Sequence, residues 1–157
     1  GAAMAATVAA ALAKADPGRA PFYQANARAL AAEYRELHAE LKASLAAVAG
    51  RKMIVFHDAW RYFAAAYGLE IAAVFQYAPG REPTPRDLQR FYEQARRLQA
   101  RVIFSEPQLP FDSLEPLLRD LGLRAVVLDP LGGTQPGDSY AELLRRNARA
   151  VALALGR

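Results

Sequence analysis

Two residues that can bind a metal or move a proton, His57 and Asp129, each stand directly after a short apolar run. The run before His57 begins at Met53, and the run before Asp129 begins at Ala125. Continuous apolar runs are typical of buried parallel strands, and open α/β sheets bind ligands outside the carboxyl ends of their strands. An imidazole and a carboxylate at that edge predict a small-ligand site, with a metal ion as the favoured ligand.

All four predicted strands end in polar or ionisable residues, which favours one site along this edge. These residues are His57 and Asp58, Gln76 and Tyr77, Ser105 and Glu106, and Asp129. We expect Asp58 and Glu106 to accept a hydrogen bond from the ring nitrogen of His57 that faces away from the metal. For Asp58 the alternative is a cap on the following helix. Two direct ligands, His57 and Asp129, are about half of a stable zinc site.

An enzyme is the alternative interpretation of the same two residues. His57 would act as the base and Asp129 as the acid that orients it, in a small α/β hydrolase or a phosphoryl-handling protein. The sequence has no Gly-x-Ser-x-Gly elbow, no glycine-rich phosphate loop and no His-Glu-x-x-His motif. We therefore predict a binding protein and assign no catalytic residue.

The composition excludes several other classes of protein. The net charge is +4, but the arginines are spread over several predicted helices and mixed with acids, so we expect no nucleic-acid partner. The chain has no cysteine, which excludes disulfides and thiolate zinc sites. No apolar run is long enough to span a membrane, and the amino terminus lacks the pattern of a signal peptide.

Residues 1–50 predict a helical segment, and residues 51–157 predict an α/β lobe. The second helix of the segment carries an apolar stripe at three- and four-residue steps and ends at Gly50; the stripe comprises Leu30, Tyr34, Leu37, Leu41, Leu45 and Val48. The lobe then alternates strands and helices. Strands are predicted at 53–56, 71–75, 102–104 and 125–128, and helices at 59–67, 84–100, 113–121 and 139–155. Capping boxes at Thr84 and Ser139 mark two helix starts.

These elements predict a long linker helix followed by a four-stranded parallel sheet with helices on both faces, a three-layer αβα lobe. Because the apolar runs show no alternation, every strand is expected to be buried on both faces.

Four segments of the chain resemble the C-terminal lobe of the cluster A-I (cluster 9) zinc and manganese solute-binding proteins of ABC importers. They are Val55–Leu69, Phe104–Gln108, Leu128–Gly132, and Ser139-Tyr140 with Asn147. Their order and spacing match over roughly residues 20–155, and the likeness is greatest to the zinc-specific branch. The resemblance implies a bilobed receptor in which one long rigid helix joins two α/β lobes and the metal lies between them.

The resemblance also implies roles for individual residues. His57 matches the third metal-ligating histidine, and Asp129 matches the acidic fourth ligand of some members. The implied ligand is transported Zn(II), because the manganese branch often has glutamate at the position of His57. Mn(II) or iron is the alternative. The implied partners are an ABC-transporter permease and an N-terminal lobe with two further histidines, which this sequence lacks. The implied location is periplasmic or anchored at the cell surface.

A third interpretation treats the stripe from Leu30 to Val48 as a helical interaction surface. Without the other lobe, this linker helix is expected to expose apolar surface and to form a non-physiological dimer. The alternative is that the stripe packs on the sheet lobe.

Overall fold

The structure, a computed structural model, describes residues 1–76, 84–108, 115–133 and 139–156. These ranges contain six α-helices and four β-strands. In chain order they are α1 Ala2–Ala15, α2 Ala20–Leu45, β1 Lys52–His57, α3 Arg61–Tyr67, β2 Glu70–Gln76, α4 Pro85–Arg97, β3 Val102–Ser105, α5 Glu115–Leu121, β4 Arg124–Val127 and α6 Tyr140–Leu155. The predicted types and order are confirmed, while Tyr77 and Ser113 lie outside the described residues.

The chain divides into two compact units, Gly1–Ala43 and Ser44–Arg157. In the first unit, Asp16 stabilises the turn between α1 and α2, because its Oδ2 accepts a hydrogen bond from the Tyr23 hydroxyl at 3.1 Å and pairs with Arg19 Nε at 2.7 Å. Within the described residues, no helix combines the length and the apolar character needed to cross a membrane.

The second helix ends close to the predicted place. Its α-helical part ends at Leu45 and continues as a tighter 3-10 turn over Ala46–Val48, and Gly50 follows with a φ of 76°, the left-handed conformation of a glycine that ends a helix. The expected exposure of the apolar stripe is wrong over most of its length. Leu30 is exposed, but the residues at the carboxyl end of the stripe are buried: Leu37, Leu41, Leu45 and Val48.

The four strands form one parallel sheet in the order β2-β1-β3-β4. The chain steps from β1 to β2 at one edge, crosses back to β3, and continues to β4. Right-handed crossovers place a helix on the opposite face when the direction of stepping reverses, so α3 lies on one face and α4 and α5 on the other. Sheets of this kind bind ligands at the carboxyl ends of the two strands where the direction of stepping reverses, which here are β1 and β3.

The packing confirms helices on both faces of the sheet. On one face, Phe75 stacks on Phe56 at 5.2 Å between ring centres and meets Phe91 of α4 edge-on at 4.8 Å. Successive strand residues point to opposite faces, and Val55 and Phe104, which point away from this cluster, are also fully buried. The central strands β1 and β3 are therefore covered on both sides.

Strand β4 does not fit the expectation that every strand is buried on both faces. Arg124, Ala125 and Val127 are exposed. Among the strands of the described ranges, β4 lies at the edge of the sheet and pairs with β3 alone. An apolar run can therefore predict a strand without revealing that the strand lies at the edge of the sheet.

Helices α4 and α6 begin at the two predicted capping boxes. At α6, Ser139 Oγ accepts a hydrogen bond from the amide of Glu142 at 3.2 Å, and Glu142 Oε2 accepts one from the amide of Ser139 at 2.9 Å. Thr84 and Asp87 make the same pair of bonds at α4. The hydrogen bonds from the Ser139 amide and hydroxyl hold the pKa of Glu142 below its ordinary value.

Replacing Ser139 with alanine is expected to lower the free energy of unfolding by about 1 kcal/mol, because the first turn of α6 loses a side-chain acceptor. Chemical denaturation measures the loss, and Ser139→Asp, which keeps an acceptor, is the matched control. Because the pKa of Glu142 is lowered, the stabilisation from its bonds is present at neutral pH and is lost as the pH falls through that lowered pKa. A stability deficit in Glu142→Ala that did not shrink in acid would contradict this part of the account.

Candidate functional site

His57 is the last residue of β1 and lies at the edge of the sheet where the neighbouring strands β1 and β3 end. Its side chain is one quarter exposed (25%), and its Nδ1 lies 3.5 Å from Oε1 of Glu106, the residue that follows β3. The two residues meet because β1 and β3 are parallel neighbours, with Val55 paired to Phe104. The sheet thus brings together an imidazole and a carboxylate that are far apart in sequence.

Glu106 is a buried carboxylate, with only 6% of its side chain exposed. Trp60 Nε1 donates a hydrogen bond to its Oε1 at 3.3 Å, and Trp60 is itself buried. A buried carboxylate requires donors of this kind, because desolvation of an unpaired charge is costly. A carboxylate beside Nδ1 favours the proton on that nitrogen, which leaves the Nε2 lone pair of His57 available to a metal ion.

Asp58 has a different partner from the one that was expected. Its Oδ2 accepts a hydrogen bond from Arg61 Nε at 2.6 Å, one turn along the chain. The expectation that Asp58 caps α3 is wrong, because the cap residue is Trp60 and no side chain bonds to the helix amides there. The Oδ1 of Asp58 is buried and has no hydrogen-bond partner among the described residues.

Asp129 follows β4 and is buried, with 4% of its surface exposed. Its Oδ1 accepts three hydrogen bonds: from the Leu131 amide at 3.1 Å, the Gly132 amide at 2.9 Å and Gln108 Nε2 at 3.0 Å. The two amide bonds form a tight Asx turn. Gly132 has a φ of 76°, a conformation that favours glycine at this turn.

Asn147 of α6 fixes the backbone of Asp129 from the other side. Its Oδ1 accepts a hydrogen bond from the Asp129 amide at 3.0 Å, and its Nδ2 donates one to the Asp129 carbonyl at 2.7 Å. Asn147 is buried. The position of Asp129 is therefore set by the last helix as well as by its own turn.

The turn after β3 links the two predicted ligands. Glu106 contacts His57, and Gln108, two residues later, contacts Asp129, so one turn touches residues at the ends of β1 and β4. Gln76 pairs with His57 in the sheet, whereas Tyr77 lies outside the described residues. No cluster of three or more histidine, aspartate or glutamate side chains able to hold a metal occurs within the described ranges.

Sequence reasoning assigned no site role to Trp60, Gln108 or Asn147. All three lie in the segments that carried the family resemblance, and that resemblance was the one feature of the sequence that could have indicated their roles. Indole and amide side chains are not typical metal ligands, so their residue types gave no indication of a role. Their contributions depend on contacts to Glu106 and Asp129 that only the folded chain makes.

Comparison with known proteins gives a consistent match over most of the chain. Residues 1–154 match the family model described as zinc-uptake complex component A, periplasmic. The chain is 35% identical over 148 residues to the high-affinity zinc uptake system protein ZnuA of Paracoccus denitrificans (strain Pd 1222), an alignment that covers 92% of this chain and 45% of that protein. The chain thus spans about half the length of the curated relatives it matches.

Solved structures agree with this match. The crystal structure of ZnuA superimposes with a TM-score of 0.81 at 31% identity, over 96% of this chain and 54% of that one. The structure of the SBP FpvC from Pseudomonas aeruginosa in complex with Mn2+ superimposes with a TM-score of 0.76 at 34% identity, over 95% of this chain and 57% of that one.

Replacing Glu106 with alanine is expected to lower the free energy of unfolding by about 1–3 kcal/mol, because the buried indole N–H of Trp60 loses its acceptor. Urea denaturation followed by the fluorescence of Trp60, the single tryptophan of the chain, measures this loss. Glu106→Gln retains an acceptor oxygen and is expected to lose clearly less. Equal losses in the two variants would show that the hydrogen bond to Trp60 does not matter for stability.

Proposed function

The chain belongs to the family of zinc-uptake complex component A periplasmic proteins, and from this premise we propose that it is the C-terminal half of a solute-binding protein. The complete protein captures Zn(II) outside the cytoplasm and delivers it to an ABC-transporter permease. The family description and the name of the Paracoccus relative support zinc uptake, and the family description supports a periplasmic location.

The environment of His57 is the observation that carries this proposal. The imidazole is partly exposed at the carboxyl end of β1, and its Nδ1 faces the buried carboxylate of Glu106 at 3.5 Å. A histidine whose Nδ1 faces a carboxylate is the usual arrangement for a ligand that binds zinc through Nε2, because the carboxylate fixes the tautomer and the orientation of the ring.

We propose that the remaining ligands come from an N-terminal lobe outside this chain. His57 and Asp129 are fewer than the three or four protein ligands that hold zinc firmly. The share of the Paracoccus relative that aligns, 45%, leaves room for a second lobe. Exposed apolar residues at four-residue steps along α1, namely Met4, Val8 and Leu12, offer a surface that such a lobe would cover.

Zinc is the proposed ligand, and manganese is the second candidate. Imidazole ligands suit zinc, whereas manganese favours carboxylate, carbonyl and water oxygens. The likeness to the SBP FpvC in complex with Mn2+ is the observation that favours the alternative. In either case the proposed role is binding and release, in which no residue of this chain acts as a catalyst.

In the complete receptor, His57→Ala is expected to raise the Kd for zinc by about 100-fold or more, because one imidazole ligand is lost. Competition with a chromophoric chelator measures the affinity. His38→Ala is the matched control, since His38 is the other histidine of the chain, lies on α2 and is exposed. Unchanged zinc affinity in His57→Ala, or an equal loss in His38→Ala, would refute the assignment of His57.

The 157-residue chain by itself is expected to bind zinc weakly, with a Kd about 1,000-fold or more above that of the complete receptor, because it contributes only part of the ligand set. Isothermal titration of both proteins under one buffer condition makes the comparison. Zinc bound by the chain as tightly as by the complete receptor would overturn the two-lobed proposal.

Hydrolysis of a generic ester or phosphate that disappears in His57→Ala would favour the enzyme interpretation instead.

A further inference from the structure

A cavity of about 560 Å³ lies at the amino ends of β1 and β3, at the edge of the sheet opposite to His57. Lys52, the first residue of β1, lines it, and the length of that strand places Lys52 about 16 Å from His57. Every residue that lines the cavity belongs to the second unit, Ser44–Arg157. Its volume lies within the range of small-molecule sites in proteins, which is about 300–1,000 Å³.

Three cations line this cavity, namely Arg51, Lys52 and Arg101. All three are exposed, and none of them pairs with an acid of the described ranges. Among the described residues that line the cavity, none is acidic. Glu70 lies beside Lys52 in the sheet but outside the lining, and Arg124 at the start of β4 offsets its charge. The lining therefore carries a net positive charge.

The ends of nearby helices do not account for three cations. Leu98, next to the end of α4, and Leu155, at the end of α6, both line the cavity. The carboxyl end of a helix carries about half a unit of negative charge, so the two ends together amount to about one. The three cations exceed that amount by about two positive charges, which suits a compact anion with two negative charges.

Gln99 adds a neutral residue with hydrogen-bond donors to the same lining. It follows the cap residue of α4 and has a φ of 49°, the left-handed conformation for which glycine is the usual residue at helix ends. A side chain is strained in this conformation. The chain nevertheless has a glutamine here, whose amide can donate to an anionic oxygen.

We propose that this cavity binds a doubly charged phosphate group, supplied either by a soluble phosphate compound or by a lipid headgroup with two phosphates. The planar guanidinium of arginine donates paired hydrogen bonds that match the geometry of phosphate, and lysine adds a compact charge. A phosphate monoester carries about two negative charges on one group, whereas a carboxylate carries one. Binding here goes beyond zinc uptake and does not depend on the metal site.

Isothermal titration of the 157-residue chain with inorganic pyrophosphate, in metal-free buffer, measures this binding. A triple variant with glutamine in place of Arg51, Lys52 and Arg101 is expected to raise the Kd by about tenfold or more, because charge-assisted hydrogen bonds are lost. Circular dichroism checks that the variant is folded.

A second triple variant is the matched control, because it removes the same charge from exposed positions outside the cavity. Its substitutions are Arg86→Gln, Arg90→Gln and Arg149→Gln. It is expected to leave the Kd almost unchanged, since exposed charges at a distance are screened by salt. Equal losses in the two triple variants would overturn the proposal, because attraction by the overall charge would then explain the binding.

Sedimentation with phosphatidylcholine vesicles that contain cardiolipin distinguishes the two sources of phosphate. Vesicle binding that the cavity variant loses and the control keeps would identify the lipid headgroup, whereas pyrophosphate binding without vesicle binding would identify a soluble compound. The proposal would be overturned if neither probe bound, or if succinate, a dianion with two carboxylates, bound as tightly as pyrophosphate. A failure of His57→Ala to weaken zinc binding would overturn the proposed function alone.

Discussion

A buried charged group needs hydrogen-bond donors around it, and the buried carboxylate at the carboxyl end of β3 is that of Glu106. Trp60 Nε1 and His57 Nδ1 lie 3.3 and 3.5 Å from its Oε1. These contacts connect the end of β3 to the end of β1 and to the start of α3. The Nδ1 side of the His57 ring therefore faces a buried carboxylate that comes from another strand.

The site extends from Glu106 along a single turn. Gln108 carries the contact to Asp129, and α6 fixes the same aspartate through the buried side chain of Asn147. Each predicted ligand is therefore held by a neighbour on another element of the fold. In the proposed metal site, side chains that neighbouring residues already position would lose less conformational entropy when a metal binds.

Local patterns predicted most of the fold but not the environment of each element. The capping boxes at Thr84 and Ser139 marked two helix starts correctly, because their hydrogen bonds span only three residues. The exposure of β4 was missed because an apolar run reports the composition of a strand and not its place in the sheet order. Burial of the stripe at the end of α2 was one of two alternatives that the sequence left open, since periodicity identifies an apolar face without showing whether it is covered.

The sequence by itself determined the alternation of strands and helices, and it determined that His57 and Asp129 follow strands whose carboxyl ends share one edge. The tertiary structure decided which acid contacts His57. Asp58, its neighbour in sequence, pairs with Arg61, whereas Glu106 approaches the ring. It also decided that Gln108 reaches Asp129, across 21 residues, and that Trp60 reaches Glu106, across 46. Such contacts depend on which strands become neighbours, and strand order arises from the packing of the whole sheet and from the handedness of its crossovers.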